Sequence, residues 1–461
     1  MANTRPPLEF IEPAFNPWVY RLAKLALPGL RRWGAGIQEI RGENVAQLAQ
    51  LYRQFDDGDI RLLLAFRHPR PTDPLCLGTL MSDLLPAAAR AQNVPLPSPV
   101  HSHFIYDRGI PLWLGKGTGW LLSRLGGTSL RRGQLDWAGL RSARALLAFG
   151  QFPLAAAPEG ATNGHNEIVS PLEPGVAQLA FWAMEDLKKV NQSLEIVILP
   201  LGIQYEFVSP PWDSIDRTLC ELEAACGLTP EPMVAGASPE ERLYPRLYRL
   251  GCRLVRLMEE FYARVYQQPL PSDLEIQSNE ELAERLQRLL DAALQASESY
   301  FNLRPKGTPI DRCRRVEQAG WERIYREDIQ DASQISAVER GLLDRVAAEA
   351  ELRMWHMRLV EHFVAVTGSY VRENPTVERF ADTLTLLSKT INQIRDRTVS
   401  PPSFGDWRVR LKVGDPLYVL HRWETYSSNR RQARQAVEQL TQDLQVALEK
   451  TIDSSTKNDL L

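Results

Sequence analysis

The chain has 461 residues, of which 44% are hydrophobic, so it can bury a large core and hold two or three lobes. Its 54 basic and 57 acidic side chains give a net charge of -3, so no nucleic acid partner is expected. Five cysteines without paired spacing predict a reducing, cytoplasmic location. No secretory signal is predicted. No membrane span is predicted either, because the uncharged apolar stretch 145–158 is too short for one.

The first predicted element is an amphipathic helix that begins at Asn16 and Pro17 and ends at Pro28. It carries apolar and aromatic side chains (Trp18, Val19, Leu22, Leu25 and Ala26) beside the basic residues Arg21 and Lys24. Such a helix suits the surface of an anionic membrane, although docking on the protein's own core would require the same apolar face. We therefore expect residues 1–34 to form an N-terminal membrane-contacting segment, peripheral on the cytoplasmic face.

Between residues 37 and 205, strand-like and helix-like runs alternate, as an α/β architecture requires. The predicted strands are 60–66, 100–106, 152–157 and 196–203, and the predicted helices are 44–53, 74–92, 136–149 and 175–190. This order predicts a mixed, mostly parallel sheet flanked by helices.

After Pro210 and Pro211 the pattern becomes almost wholly helical. The candidate helices are 213–226, 239–267, 279–300, 310–331, 335–372 and 376–396. An alternating strand, WRVRLKV, then begins at Trp407 and is followed by a polar helix over 424–452. We predict that residues 208–404 form a helical insertion within one α/β domain of residues 35–207 and 405–461. Three roles are open for this insertion: to cover the acyl channel, to bind a protein partner such as an acyl carrier, or to form an oligomer. The alternative is a separate C-terminal helical domain, and pairing of residues 409–413 with the sheet would distinguish the two.

The main chemical signal lies at the end of the predicted strand Ile60–Phe66. This apolar run is followed by Arg67, His68 and, five positions after the histidine, Asp73. An imidazole with a nearby carboxylate is the usual pair of a general base and the group that orients it. Asp73 and Pro74 also form an ordinary helix start, with Asp73 as the N-cap, and the two roles are compatible.

Three further segments follow in a fixed order, each at the end of a predicted strand. They are GGTSLRRG at 126–133, FPLAAAPEGATNG at 152–164 and EIVILPLGIQY at 195–205. Together with the His68–Asp73 block, this order resembles the glycerophospholipid acyltransferase family, which includes the 1-acyl-sn-glycerol-3-phosphate acyltransferases. The blocks of that family are His-x4-Asp, Gly-Gly-x4-Arg, Pro-Glu-Gly and an apolar strand with a proline, here Pro200.

The resemblance implies an O-acyltransferase that moves a fatty acyl group to the free hydroxyl of a glycerophospholipid precursor, with 1-acyl-sn-glycerol-3-phosphate as the first candidate acceptor. The donor would be an acyl thioester, either acyl-CoA or an acyl-carrier protein, and no permanently bound cofactor or metal is expected. His68 would act as the general base and Asp73 would orient it, since an imidazole with an unperturbed pKa near 6.5 suits proton removal at neutral pH.

The resemblance also implies an acceptor site. Arg132 would bind the phosphate, Gly160 would let the backbone approach it, and Glu159 would orient Arg132 or the acceptor hydroxyl. Gly127, Thr162 and Asn163 complete the predicted acceptor site.

The chain departs from the family pattern at two places. Arg67 stands where many members have asparagine, and Ala161, Thr162 and Asn163 stand where lysophosphatidate enzymes usually have Thr-Arg-Ser. The second departure resembles the branch that reacylates lysophospholipids with larger head groups. The alternatives are therefore such a reacylating enzyme and a non-catalytic membrane-associated scaffold of the same fold.

Other residues able to carry chemistry are assigned to packing. His101 and His103 lie two positions apart but lack further ligands nearby, so they do not predict a metal site. Cys76 lies in an apolar helix pattern and is expected in the core.

Overall fold

The computed structural model describes residues 3–131, 136–229, 238–271, 274–326, 328–329, 335–363, 368–397 and 399–452. Within these ranges eight strands form one sheet. They are β1 (Ile37–Glu43), β2 (Ile60–Phe66), β3 (His103–Asp107), β4 (Gly127–Leu130), β5 (Leu154–Ala156), β6 (Glu195–Phe207), β7 (Trp407–Val413) and β8 (Leu417–Tyr418). The spatial order is β1-β7-β6-β2-β5-β3-β4, and β8 pairs with β6. The predicted fold class, a mixed and mostly parallel sheet flanked by helices, is confirmed.

The parallel part of the sheet positions the site. Strands β6, β2, β5, β3 and β4 pair parallel with one another in this order, so their carboxyl ends lie along one edge. Phe66, the last residue of β2, pairs with Leu201, whereas β6 continues to Phe207. The segments that follow β2 and β5 therefore lie beside the extended end of β6, which is where polar side chains of parallel sheets usually meet.

The first eight helices belong to the unit that contains the sheet. They are α1 (Pro17–Gly29), α2 (Val45–Asp57), α3 (Asp73–Thr79), α4 (Leu85–Ala91), α5 (Ile110–Leu114), α6 (Lys116–Arg124), α7 (Trp137–Phe149) and α8 (Gly175–Lys189). A π-helical turn, Leu30–Gly34, continues α1, and another, Leu80–Leu84, joins α3 to α4.

The chain between 210 and 404 forms a second, helical unit, close to the predicted 208–404. Its helices are α9 (Trp212–Ala225), α10 (Pro239–Tyr266), α11 (Asn279–Phe301), α12 (Pro309–Ile324), α13 (Ala337–Phe363), α14 (Tyr370–Glu373) and α15 (Val377–Ile394). The helix predicted over 310–331 ends early, because Ile324 accepts a hydrogen bond from Arg5 in a short parallel bridge.

Buried ion pairs join consecutive helices of this unit among the residues that the structure describes. Arg246 of α10 binds Glu223 of α9 at 2.6 Å, and Arg312 of α12 binds Glu298 of α11 at 2.8 Å. Arg285 of α11 binds Glu259 of α10 in the same way.

The chain returns to the sheet with β7. This strand pairs parallel to β1 and antiparallel to β6, with Val409 opposite Ile40 on one side and Tyr205 on the other. The helical unit thus enters the chain between two strands of one sheet, which was the predicted criterion for an insertion. Helices α16 (Trp423–Ser428) and α17 (Arg430–Glu449) follow, and α7, α8 and α17 contribute to the core that covers one face of the sheet.

The N-terminal boundary differs from the prediction of one segment over 1–34. Residues 3–9 belong to the helical unit, where Arg5 makes backbone hydrogen bonds to Ile324 and Arg326. Residues 10–34, including α1, belong to the sheet unit.

Candidate functional site

The structure brings His68 and Asp73 together just beyond the end of β2. Nδ1 of His68 lies 2.8 Å from Oδ2 of Asp73. The Asp73 side chain is fully buried, whereas the His68 side chain is 23% exposed. A buried carboxylate that accepts from Nδ1–H fixes the ring in the tautomer whose Nε2 carries the lone pair. Because part of the His68 ring is exposed, a reacting molecule can approach it.

Asp73 is held by donors from three directions. Besides the imidazole, the backbone N–H of Arg70 donates to Oδ2 at 2.9 Å, and the hydroxyl of Tyr205 donates to Oδ1 at 2.5 Å. Asp73 was predicted as the N-cap of its helix, but Thr72 occupies that position and Asp73 is the first helical residue. The carboxylate serves the site instead of capping α3.

A hydroxyl group lies at the free nitrogen of the imidazole. Oγ1 of Thr162, an exposed residue, is 3.1 Å from Nε2 of His68. Because Nε2 is unprotonated when Nδ1–H faces Asp73, the Thr162 hydroxyl is the donor of this bond. The oxygen of an alcohol thus occupies the position from which an imidazole can remove a proton.

Glu159, which follows β5, is buried and organises the loop around His68. Its Oε1 accepts from the backbone N–H of His68 at 2.9 Å. Its Oε2 accepts from the Asn163 amide at 2.6 Å and from the backbone N–H of Ser170 at 2.9 Å. Glu159 was predicted to orient Arg132 or the acceptor hydroxyl. Its carboxylate accepts from two backbone N–H groups and the Asn163 amide, because the segment 163–170 folds back over it. Arg132 lies outside the described residues, so that role stays a prediction.

Replacing Glu159 with glutamine tests this positioning role. Both oxygens of the Glu159 carboxylate accept hydrogen bonds, whereas the glutamine amide has one oxygen and one NH2 group. The NH2 group would face an N–H donor, so at least one donor loses its acceptor. We expect the free energy of unfolding to fall by about 1–3 kcal/mol, and turnover to fall on the order of 10-fold because the His68 backbone shifts. Urea denaturation and initial rates measure the two effects. Glu424→Gln, at an exposed position, is the control, and a Glu159→Gln protein that matches this control would contradict the assignment.

Arg67 is fully buried and clamps the same loop. Four backbone carbonyls of the described residues accept from its guanidinium: those of Asn166 (2.7 Å), Ile203 (3.3 Å), His165 (3.0 Å) and Ile168 (2.6 Å). Arg67 therefore has a structural role beside the site.

The predicted acceptor residues are placed unequally. Asn163 lies beside His68, and its backbone N–H donates to the His68 carbonyl at 3.2 Å. Gly160 has φ +71°, which favours glycine, and a Cβ there would lie 2.3 Å from the Glu173 carboxylate. The Cβ direction of Gly160 is thus filled by an acidic side chain.

Gly127 is not part of this cluster, contrary to its prediction as an acceptor-site residue. It is buried inside β4 and a Cβ there would lie 2.4 Å from the Phe104 ring, so close packing of strand and ring explains the glycine. Arg132 lies outside the described residues, and its predicted phosphate contact stays a prediction.

The other reactive side chains are held in inert states. Burial raises the pKa of Cys76 to about 12, which keeps it a thiol. Burial lowers the pKa of His101 to about 4 and also lowers that of His103. These two rings bond to the Leu125 and Gly126 carbonyls at 2.7 and 2.9 Å. Within the described ranges, no group of three or more metal-binding side chains comes together.

Tyr205 and Asn166 belong to the site but were not predicted from the sequence. Asn166 pairs with the backbone of Tyr205, accepting from its N–H at 2.7 Å and donating to its carbonyl at 2.6 Å. Tyr205 ends the quoted segment EIVILPLGIQY, but its position in an apolar strand predicts only burial. The polar loop residue Asn166 carried no spacing signal.

Comparisons of the chain with protein-family models, with curated proteins and with solved structures find no match.

Proposed function

We propose that the protein is an O-acyltransferase that moves a fatty acyl group from an acyl thioester to the free hydroxyl of a glycerophospholipid precursor, with 1-acyl-sn-glycerol-3-phosphate as the first candidate acceptor. The observation that carries the proposal is the His68 imidazole, which has a buried carboxylate 2.8 Å from one nitrogen and a hydroxyl oxygen 3.1 Å from the other. The ordered motifs that resemble the glycerophospholipid acyltransferases provide the substrate class.

The proposed reaction is a direct transfer. The acceptor hydroxyl takes the place of Thr162 at Nε2, gives its proton to His68 and attacks the thioester carbonyl. Asp73 stabilises the imidazolium that forms. When the tetrahedral intermediate collapses, the carbon–sulfur bond breaks and the imidazolium returns the proton to the leaving thiolate. Acyl-CoA or an acyl-carrier protein is a substrate here and not a resident cofactor.

Two alternatives follow from the departures in the sequence. Thr162 lies at the imidazole and Asn163 at the backbone carbonyl of His68, so the residues that resemble the branch with larger head groups lie beside the proposed base. Arg67 suggested a non-catalytic scaffold, but its hydrogen bonds hold the loop that carries Asn166 and are compatible with catalysis.

An assay of purified wild-type protein tests the proposal. Labelled acyl-CoA and acyl-carrier protein are each supplied with a panel of lysophospholipids, and products are identified by mass spectrometry. We expect a diacyl product, with phosphatidate from the 1-acyl-sn-glycerol-3-phosphate arm. Failure to acylate any acceptor with either donor would favour the scaffold.

Helix α1 supports a membrane partner for this reaction. Its residues Trp18, Leu22 and Leu25 are 70%, 67% and 78% exposed, and Trp33 in the following turn is 86% exposed. The predicted alternative, that these side chains pack on the protein's own core, does not match this exposure. Basic residues accompany them, and the Arg21 guanidinium lies 4.9 Å from the centre of the Trp18 ring. Aromatic and apolar groups beside cations suit the interface of an anionic bilayer.

The same helix is attached close to the proposed base. The Leu27 side chain of α1 packs on Gly78 of α3, the helix that starts at Asp73. It lies 3.3 Å from the position that a Cβ added to Gly78 would take. Among the described helices, none combines the length and apolar character needed to cross a bilayer. Peripheral contact through α1 would bring lipid acceptors to His68 without a membrane span.

Replacing Trp18, Leu22 and Leu25 together with glutamate is expected to weaken binding to phosphatidylglycerol vesicles at least about 100-fold, because three apolar side chains lose their transfer into the interface. Vesicle co-sedimentation measures this partition. The matched control replaces Val338, Leu342 and Val346 of α13, which are 75%, 61% and 36% exposed, with glutamate. Vesicle binding that is unchanged, or that falls equally in the control, would contradict membrane contact through α1.

A further inference from the structure

The hydroxyl of Tyr205 meets the carboxylate of Asp73 inside the protein. The O–H donates to Oδ1 at 2.5 Å, and both side chains are fully buried. The other oxygen of the carboxylate, Oδ2, accepts from His68 Nδ1 at 2.8 Å and from the Arg70 N–H at 2.9 Å. The two oxygens of one carboxylate thus connect a phenol on β6 to the imidazole after β2.

Backbone contacts on both sides fix Tyr205 in place. Its N–H and carbonyl are paired with the Asn166 amide, and the residue lies opposite Val409 in the β6–β7 ladder. Its ring packs edge-on against Trp407 at 5.9 Å between centroids. The hydroxyl therefore reaches Asp73 from a rigid part of the sheet rather than from a loop.

The direction of the hydrogen bond follows from the electrostatics. Burial, followed by the charge of Asp73, raises the pKa of Tyr205 well above its ordinary value, so the phenol keeps its proton. Thr72 Oγ1 lies 3.0 Å from the Tyr205 oxygen and can donate to it, while Cys76 Sγ lies 3.5 Å away. The charged and titratable groups around the carboxylate are accordingly His68, Arg70, Tyr205 and Cys76.

We propose that Tyr205 is a positioning residue of the acyl transfer, acting through Asp73. Its hydroxyl prevents the carboxylate from rotating, so that Oδ2 stays aligned with Nδ1–H of His68 and the lone pair of Nε2 stays directed towards the acceptor. This inference rests on the proposed function for its kinetic consequence, but the alignment itself can be measured without activity.

Tyr205→Phe removes the hydroxyl and keeps the ring. We expect kcat to fall about 10-fold with an unchanged KM for the acyl thioester, because the base is misaligned while donor binding is untouched. The 15N shifts of the His68 ring, recorded at about pH 8.5 where a histidine is ordinarily neutral, should change from almost pure Nδ1–H tautomer to a mixture. In the wild type, the Tyr205 hydroxyl proton should give a low-field signal that exchanges slowly with solvent.

Tyr52→Phe is the matched control. Tyr52 is also buried and donates its hydroxyl to a carbonyl, that of His101, at 2.9 Å, but it makes no contact with Asp73 or His68. It should leave the His68 tautomer and kcat unchanged. If the His68 tautomer were the same in Tyr205→Phe and in the wild type, the inference would be overturned. If Tyr205→Phe does not fold, fast solvent exchange of the Tyr205 hydroxyl proton in the wild type would overturn it instead. Absence of acyl transfer by the wild type would overturn the proposed function alone.

Discussion

Replacing His68 with alanine is expected to lower acyl-transfer turnover by about 10²–10⁴-fold, the contribution of a well-placed general base. The variant leaves Asp73 without its imidazole partner and leaves the acceptor hydroxyl without a proton acceptor. The rate of product formation from labelled acyl thioester measures the loss. Added imidazole should restore part of it, because the removed side chain leaves space beside an intact carboxylate.

His421→Ala is the control for this experiment, since His421 is exposed and distant in sequence from the motif blocks. It should retain wild-type turnover. A His68→Ala protein that still transfers acyl groups at the wild-type rate would reject His68 as the base and with it the direct mechanism.

Replacing Arg67 with methionine is expected to lower the free energy of unfolding by about 3–5 kcal/mol, a large effect for one residue. Methionine fills much of the volume but donates no hydrogen bond, so the four carbonyls that accept from the guanidinium lose that donor. Arg67→Asn, which introduces the residue that many glycerophospholipid acyltransferases have, should be similarly destabilising because asparagine is too short to span these carbonyls.

Denaturation by guanidinium chloride, monitored by circular dichroism, measures the change in the free energy of unfolding. Arg41→Met is the control, because Arg41 pairs with Glu39 at the surface and its side chain is 63% exposed; little change is expected there. If Arg67→Met were as stable as this control, the clamp would be energetically unimportant, and the departure from asparagine would again suggest a scaffold.

The local pattern of apolar and polar residues predicted the strands β2 and β7, because this pattern matches which of their side chains are buried. The prediction for β2 matches the structure at both ends, because its run of apolar residues is buried on both faces. The strand β7 matches because its apolar residues alternate with polar ones and only one set is buried.

The strands that were missed depend on distant partners. β1 has the polar sequence IQEIRGE and pairs with β7, and β4 is a short strand that starts at a glycine. β6 was predicted to end at Ile203 but continues to Phe207, because β7 pairs with its last residues. No window of local sequence contains that information.

The site shows the same division. His68 and Asp73 were predictable because their contact spans five residues at a strand end. The contacts of Glu159 with the backbone of His68 and Ser170 were not predicted, because they depend on how the loop folds. Tyr205 was not predicted because it reaches Asp73 only through the added length of β6.

The return of β7 after the helical unit has a consequence for synthesis on the ribosome. Ile37 pairs with Trp407, so β1 waits for its partner until most of the chain has emerged. During that interval β1 and the far side of β6 present unpaired backbone groups, which other nascent chains can join. Truncation before residue 407 should therefore yield aggregates instead of a smaller folded protein.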